Sequence, residues 1–296
     1  MTDDRQIILS PDGQSVIVEN GPMRLAIKAF SHGVFQTDAA LEAARFSFTC
    51  LEQVAHCLPH LKRYDAVLPE DSPHSIARRM IRSVRETGDT HLTPMAAVAG
   101  SIADAVADRL FCNAITKVIV DNGGDIAIRT TREEPVNIGL RTDLNTTRIS
   151  HIIGLSGQHG SWGANTSGLG GRSFTRGIAS AATAFGKTSS LADAAATSIA
   201  NACYHPHKNI VQIPAGQIDP NTDIPDIPVT VRVGELSCET FRAAVKHALK
   251  KAETYVAKGL IRGAVIAAGP YMATTRRFTE TVGLIRPQPG CGLMEI

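Results

Sequence analysis

Residues 191–201 read LADAAATSIAN, and within them Asp193 and Thr197 stand four apart. On a helix that spacing stacks a carboxylate and a hydroxyl on one face, about 6 Å apart along the axis, close enough to share one cation. The alanines around them leave the face bare, so metal, nucleotide or backbone can come close. The same residues also fit a plainer role. Ser190 and Asp193 match the capping-box pattern of a helix start, and Thr197 can satisfy its hydroxyl on the carbonyl of Asp193. Spacing alone leaves both roles open.

Two glycine-bearing stretches add backbone donors. Asn122-Gly123-Gly124-Asp125 joins two apolar runs, a strong hairpin signal. Its glycines would let amides approach a phosphate, or they simply supply positive φ for the turn. Residues 157–177, GQHGSWGANTSGLGGRSFTRG, are expected to form a loop rather than an ordinary element. Bare amides there, with Arg172 or Arg176, suit anionic oxygens. Gly168-x-Gly170 lacks the full dinucleotide fingerprint. His205 and His207 flank a proline with no third ligand nearby, which reads as a loop with exposed imidazoles. Residues 219–228, DPNTDIPDIP, lack the glycine and glutamate of a calcium loop.

These groups need elements to hold them. Residues 6–29 read as a β-meander broken at Pro11-Asp12-Gly13 and Asn20-Gly21-Pro22. Apolar residues from Leu41 to Leu58 recur at helical spacing, with Pro59 as the expected stop. Ser72-Pro73 predicts the start of a second helix that Gly88 closes. Thr93-Pro94 predicts a sharp start to a third, whose Ala- and Gly-lined first turns must pack tightly against something. Strands are expected at 136–140, 149–155 and 178–185, then at 229–233, 263–268 and 279–285. Ser237 caps a long basic helix reaching about Gly259. Clustered helices and strands, rather than strict alternation, predict an α+β fold. A helix, strand, turn, strand order at 93–130 and again at 237–285 suggests duplicated halves. The expectation is one domain over 1–296, in two intertwined halves of about 1–155 and 156–296.

The 296 residues can bury a substantial core. A 20% charged fraction and a net charge of +2, without Lys/Arg clusters, argue against nucleic acid as a partner. Cys50, Cys57, Cys112, Cys203, Cys238 and Cys291 are scattered, as in reduced cytoplasmic proteins. MTDDRQIILS resembles no secretory or lipoprotein leader, and Asp104 and Asp108 interrupt the best apolar run, so no membrane association is expected.

Three stretches, in order, resemble the ApbE family of FAD:protein FMN transferases: the small-residue helix at 93–108, the NGGD turn, and the Ala-Asp-Ala-x-Ala-Thr signature at 192–197. The resemblance is closer to an ApbE-like branch of uncharacterised protein families, through PMAAVAGSIAD, VDNGGDI, TSGLGGRS and LADAAATSIAN. It implies magnesium held by Asp193, Thr197 and a carbonyl near Val98, seated on the FAD pyrophosphate. It implies flavin-nucleotide contacts at Asn122, Gly123, Gly124, Asp125, Thr166, Ser167, Gly168 and Arg172. It also implies an acceptor protein whose hydroxyl takes FMN with release of AMP, and a homodimer.

The family's Gly-Gly-Ile-Ala-Lys-Gly run is here residues 95–100, MAAVAG, without its lysine, and its His-Ile-x-Asp-Pro segment is missing. That leaves the general base unassigned, His159 being the nearest candidate in sequence. Leu169 and Arg172 stand where the closer branch has threonine and histidine. Three functions remain in play: a magnesium-dependent enzyme on a flavin nucleotide, a flavin-free enzyme on a small anionic substrate, and a non-catalytic flavin carrier.

Overall fold

The computed structural model describes residues 5–69, 72–112, 114–131, 134–142, 147–289 and 294–295. In chain order the elements begin with β1 (Gln6–Leu9), β2 (Val16–Asn20) and β3 (Met23–Ser31), the expected meander, and then the short β4 (Val34–Phe35). Then come α1 (Thr37–Leu61), α2 (Ser75–Thr87), α3 (Val98–Leu110) and the hairpin β5 (Lys117–Asn122) and β6 (Asp125–Thr130). Next are β7 (Val136–Leu140), β8 (His151–Leu155), β9 (Ser161–Ser167), β10 (Ala181–Gly186) and α4 (Ser189–Ala202). The chain continues through β11 (Ile210–Pro214), β12 (Pro228–Val233), α5 (Cys238–Ala257), β13 (Gly263–Ala268) and β14 (Tyr271–Thr274). It ends with α6 (Phe278–Thr281), β15 (Gly283–Pro287) and β16 (Met294–Glu295). The fold is α+β, built from helices and largely antiparallel sheets.

Several boundaries differ from expectation for local reasons. Pro59 lies inside α1, which runs to Leu61; a proline this near the end removes only one interior bond. Ser72-Pro73 precedes α2, which starts at Ser75 and closes on Gly88 in the left-handed conformation, φ 67°. Thr93 does accept the Met95 N–H at 3.3 Å, but it caps a short 3-10 turn, Pro94–Ala97. Ala97, at φ −127° and ψ 14°, breaks the run, and α3 starts afresh at Val98.

The expected loop at 157–177 contains β9, whose polar, glycine-rich sequence SWGANTS hides a buried strand. The expected strand at 279–285 divides into α6 and β15, and β11 and β14 lie where no strand is expected. Cys291 lies outside the described residues; the five described cysteines are free.

The chain divides into two compact units: Met1–Pro135 with Gly157–Asn165 and Gly186–Asp193, and Val136–Ser156 with Thr166–Phe185 and Ala194–Ile296. In the first, β1, β2, β3, β5, β6 and β9 lie side by side, every neighbouring pair antiparallel. Alternation sets which face is buried: Leu25 and Ile27 on β3, and Val118 and Val120 on β5, are fully enclosed. α3 packs on β5 and β6, and α1 packs on α3, α2, β2 and β3, burying a stripe that includes Ala40, Ala44, Ser47, Cys50, Val54 and Leu61.

In the second unit β10, β13 and β14 are antiparallel neighbours and α5 covers β13 and β14. Strands β7, β8 and β15 form a separate three-stranded sheet. The helix and hairpin order α3-β5-β6 thus recurs as α5-β13-β14.

Candidate functional site

The first unit's site begins where α3 restarts. Ala97 offers its helix no side-chain cap, so the first amides of α3 need partners from elsewhere. Asp193 supplies them: its Oδ2 accepts the Gly100 N–H at 2.9 Å, and the Ala99 amide also bonds to this carboxylate. The arrangement is reciprocal. Asp104, fully buried on α3, accepts the Ser189 N–H at 3.0 Å and the Ser190 N–H at 2.8 Å, the leading amides of α4. Each helix start is therefore capped by a carboxylate from the other helix.

This exchange requires near backbone contact. A Cβ on Gly100 would collide with the Ser189 carbonyl oxygen, lying 2.6 Å from its carbon and 2.9 Å from the Asp193 Cβ. A Cβ on Gly163 of β9 would strike the Thr188 carbonyl and the Ser189 nitrogen. The small residues of α3 and β9 are thus the condition for α4 to start where it does. The capping box, one of the two roles the spacing left open, does not form. Ser190 points its hydroxyl to Thr188 Oγ1, Thr188 accepts the Leu191 N–H, and Asp193 turns to α3. A tertiary acceptor, Asp104, thus joins the local one, Thr188, at the start of α4.

Charge is arranged unevenly around these carboxylates. Arg129 on β6 donates from Nη2 to Asp104 at 2.9 Å and grips Asp108 from Nε and Nη2. Burial works against the Arg129 cation, but Asp104 and Asp108 more than offset it and its pKa lies above the ordinary guanidinium value. Arg79 adds a bond to Asp108 at 2.9 Å. Asp193 has no basic partner among the described residues. Desolvation, and then the neighbouring Asp125 and Asp104 charges, push its pKa well above the usual carboxylate range, while the Gly100 and Ala99 amides pull the other way.

The NGGD turn is tied to the same place. Gly123 and Gly124 adopt φ 70° and 105°, which is why this two-residue loop takes glycine. Asn122 Nδ2 donates to the Ala99 carbonyl at 3.2 Å, and Gly124 donates to Asp121 at 2.7 Å. Asp125 accepts from Asn165 Nδ2 at 3.1 Å, and Asn165 also bonds the Ser189 hydroxyl. Val98, whose carbonyl the resemblance singled out, is the half-buried first residue of α3. So Val98, Asn122, Gly123, Gly124, Asp125 and Asp193 all gather around the start of α3. Thr197 stands one turn beyond Asp193 along α4, 9% exposed.

Thr197 and the other expected residues, His159 apart, belong to the second unit. Thr166 pairs hydroxyls with Thr183 at 2.8 Å. The Ser167 Oγ is buried without a hydrogen-bond partner. Gly168, at φ 151°, sits so close to the Ala179 and Ser180 carbonyls that a Cβ would lie 2.7 Å from the first. Arg172 is exposed. His159, in the first unit, lies edge-on to Trp162 with ring centres 5.2 Å apart. His207 accepts the Asn209 N–H, and His247 approaches His205 with ring centres 6.1 Å apart. Among the described residues no three His, Cys, Asp or Glu side chains form a ready metal-holding group, and no helix is long and apolar enough to cross a membrane.

Sequence reasoning missed Asp104, Arg129 and Asn165. A signal existed for two of them: Gly100, Asp104 and Asp108 recur every four residues in an apolar helix, and Arg129 interrupts an apolar strand.

A family model described as "AbpE bacteria" matches residues 7–278. A UPF0280 protein of Methanosarcina barkeri is 34% identical over 169 residues, 55% of this chain and 63% of that protein. Another from Methanopyrus kandleri is 38% identical over 126 residues, 43% of this chain and 48% of that one. The matched stretch spans less than two thirds of the length of either relative. Among solved structures, the apo form of the flavinyl transferase ApbE from Pseudomonas stutzeri superposes with a TM-score of 0.51, covering 96% of this chain and 99% of that one at 12% identity. That likeness is one of fold.

Proposed function

The chain belongs to the ApbE-like superfamily, beside the UPF0280 proteins, and from that premise we propose that it is a magnesium-dependent enzyme acting on a flavin nucleotide. In its most specific form the reaction is FMN transfer from FAD to a protein hydroxyl. The observation that carries the proposal is Asp193: a buried carboxylate with no basic partner among the described residues, close to two further acids. With the Thr197 hydroxyl one turn on, the donor set is hard oxygen, the kind magnesium prefers. Asp193 and Thr197 would hold the ion, with a main-chain carbonyl near Val98. When bound, it would neutralise charge on a pyrophosphate.

The chain's own groups account for the remaining requirements. The first-turn amides of α3 keep the Asp193 carboxylate in place, and the Asn122 side chain anchors the NGGD turn to the Ala99 carbonyl. In the transfer, the acceptor oxygen forms a bond to the FMN phosphorus as the bond to AMP breaks, and the acceptor hydroxyl loses its proton. His159 remains the candidate for that proton, although it rests against Trp162. The homodimer and the cytoplasmic setting belong to the same proposal; sedimentation tests the first.

A second reading has its own support. The Gly100 bond gives Asp193 a structural task that needs no metal, as a non-catalytic flavin carrier or a flavin-free enzyme would allow. AMP release from FAD decides between them. Release that depends on magnesium, is lost in Asp193→Ala and is weakened in Thr197→Val supports the transferase. Bound flavin without AMP release points to a carrier, and absence of flavin binding to a different anionic substrate.

A further inference from the structure

We infer that Asp104 is a positioning residue for Asp193, fixing the metal-binding carboxylate by holding the start of α4 rather than by touching the ion. The inference rests on the reading of Asp193 as a metal ligand. Its basis is the exchange of carboxylates between two helices. Gly100 and Asp104 are four apart on α3, and Ser189 and Asp193 are four apart on α4. Asp104 takes the amides of Ser189 and Ser190, while Asp193 takes that of Gly100. Each carboxylate thus lies one turn beyond the amide its counterpart holds.

A tilt at Ser189 therefore moves Asp193 one turn away, whereas a metal site tolerates ligand distances to within only about 0.2 Å. Thr188 already offers the α4 start a hydroxyl acceptor, for the Leu191 N–H. Asp104 is more than a cap of that kind: it is completely buried, reaches two amides, and is itself held by Arg129, which Asp108 grips in turn. Asp104 bonds not Asp193 itself but the backbone that carries it, and so serves orientation one step farther out than the hydrogen-bonded partners of metal ligands.

The test is Mn²⁺ affinity, read from loss of the free-ion EPR signal at a temperature where circular dichroism shows every variant folded. Asp104→Asn keeps one acceptor oxygen but loses the second, and its affinity should fall roughly 10–100-fold. Arg129→Lys keeps the charge but loses the fork, and should fall between Asp104→Asn and the wild type. It carries the test if Asp104→Asn does not fold. Leu61→Ala, a fully buried truncation on α1, should lower the melting temperature and leave Mn²⁺ affinity unchanged. Wild-type affinity in Asp104→Asn and Arg129→Lys, or an equal loss in Leu61→Ala, overturns the inference. If the wild type binds no Mn²⁺, or Asp193→Ala binds it equally well, the metal reading itself fails and the inference falls with it.

Discussion

Gly100→Ala sets two physical expectations against each other. In an ordinary helix interior, alanine in place of glycine adds about 1 kcal/mol of stability. Here the new methyl would lie 2.6 Å from the Ser189 carbonyl carbon, where ordinary contact starts near 3.4 Å. The shortfall is about 0.8 Å, and the two backbones would have to separate by that much. The Gly100 bond to Asp193, now 2.9 Å, and the Ser189 bond to Asp104, now 3.0 Å, would then pass the ~3.2 Å limit of normal N–H···O bonds. Overpacking of this kind costs about 1–3 kcal/mol, and bonds to charged acceptors are worth about 1.5–3 kcal/mol each. Relaxation will spare part of that, so the net loss should be about 2–4 kcal/mol after the propensity gain. At about 2–4 °C per kcal/mol, the melting temperature should fall by roughly 5–15 °C. Differential scanning calorimetry in EDTA measures it without metal. A melting temperature equal to or above the wild type would refute the close crossing of α3 and α4.

Replacing Arg129 by methionine strips Asp104 of its buried counter-charge and should destabilise by about 3–5 kcal/mol in urea melts; a loss below about 1 kcal/mol would mean that the pair is not buried as described. Asp193→Asn should stabilise the metal-free protein, most clearly at alkaline pH. The sign follows from the raised pKa: the folded carboxyl keeps its proton above the ordinary value of 3.8, so wild-type stability falls as pH rises from there. The gap between the two proteins should therefore narrow towards about pH 4. Magnesium at about 100 times its dissociation constant should stabilise the wild type by about 2.7 kcal/mol, and the shift should vanish in Asp193→Asn. Ser167→Ala removes a buried hydroxyl with no partner and should leave stability equal or higher, while lowering flavin-nucleotide affinity in calorimetric titration if that hydroxyl serves a ligand.

The elements that could be read from sequence are those whose signals are local. Helices α1, α2 and α5 show their apolar spacing, and Gly88 and Ser237 mark a stop and a start. The β5–β6 hairpin follows from two glycines that must take positive φ. Strand β9 could not be found this way. Alternation marks a strand by contrast between apolar and polar residues, and SWGANTS buries its polar side too. Asn165 can be buried because Asp125 and Ser189 satisfy it, and Gly163 is small because α4 starts against it. Both conditions come from residues distant in the chain.

The same reasoning explains why the spacing of Asp193 and Thr197 left two roles open. A capping box and a metal pair draw on one sequence pattern, and a local pattern cannot say where a carboxylate turns. The acceptor for the α4 amides is Asp104, 85 residues earlier, and the donor to Asp193 is Gly100, 93 residues earlier. Once those partners are known, the capping box drops out, because Asp193 caps α3 rather than its own helix. A carboxylate oxygen accepts more than one bond, so the Gly100 amide occupies part of Asp193 and leaves the rest of its capacity for a cation. The amide also supplies the rigidity that such a ligand needs. The acid is thus held in place by neutral amides, among carboxylates that raise its energy, and the magnesium-dependent stability shift is the measurement that tests whether a divalent ion is its partner.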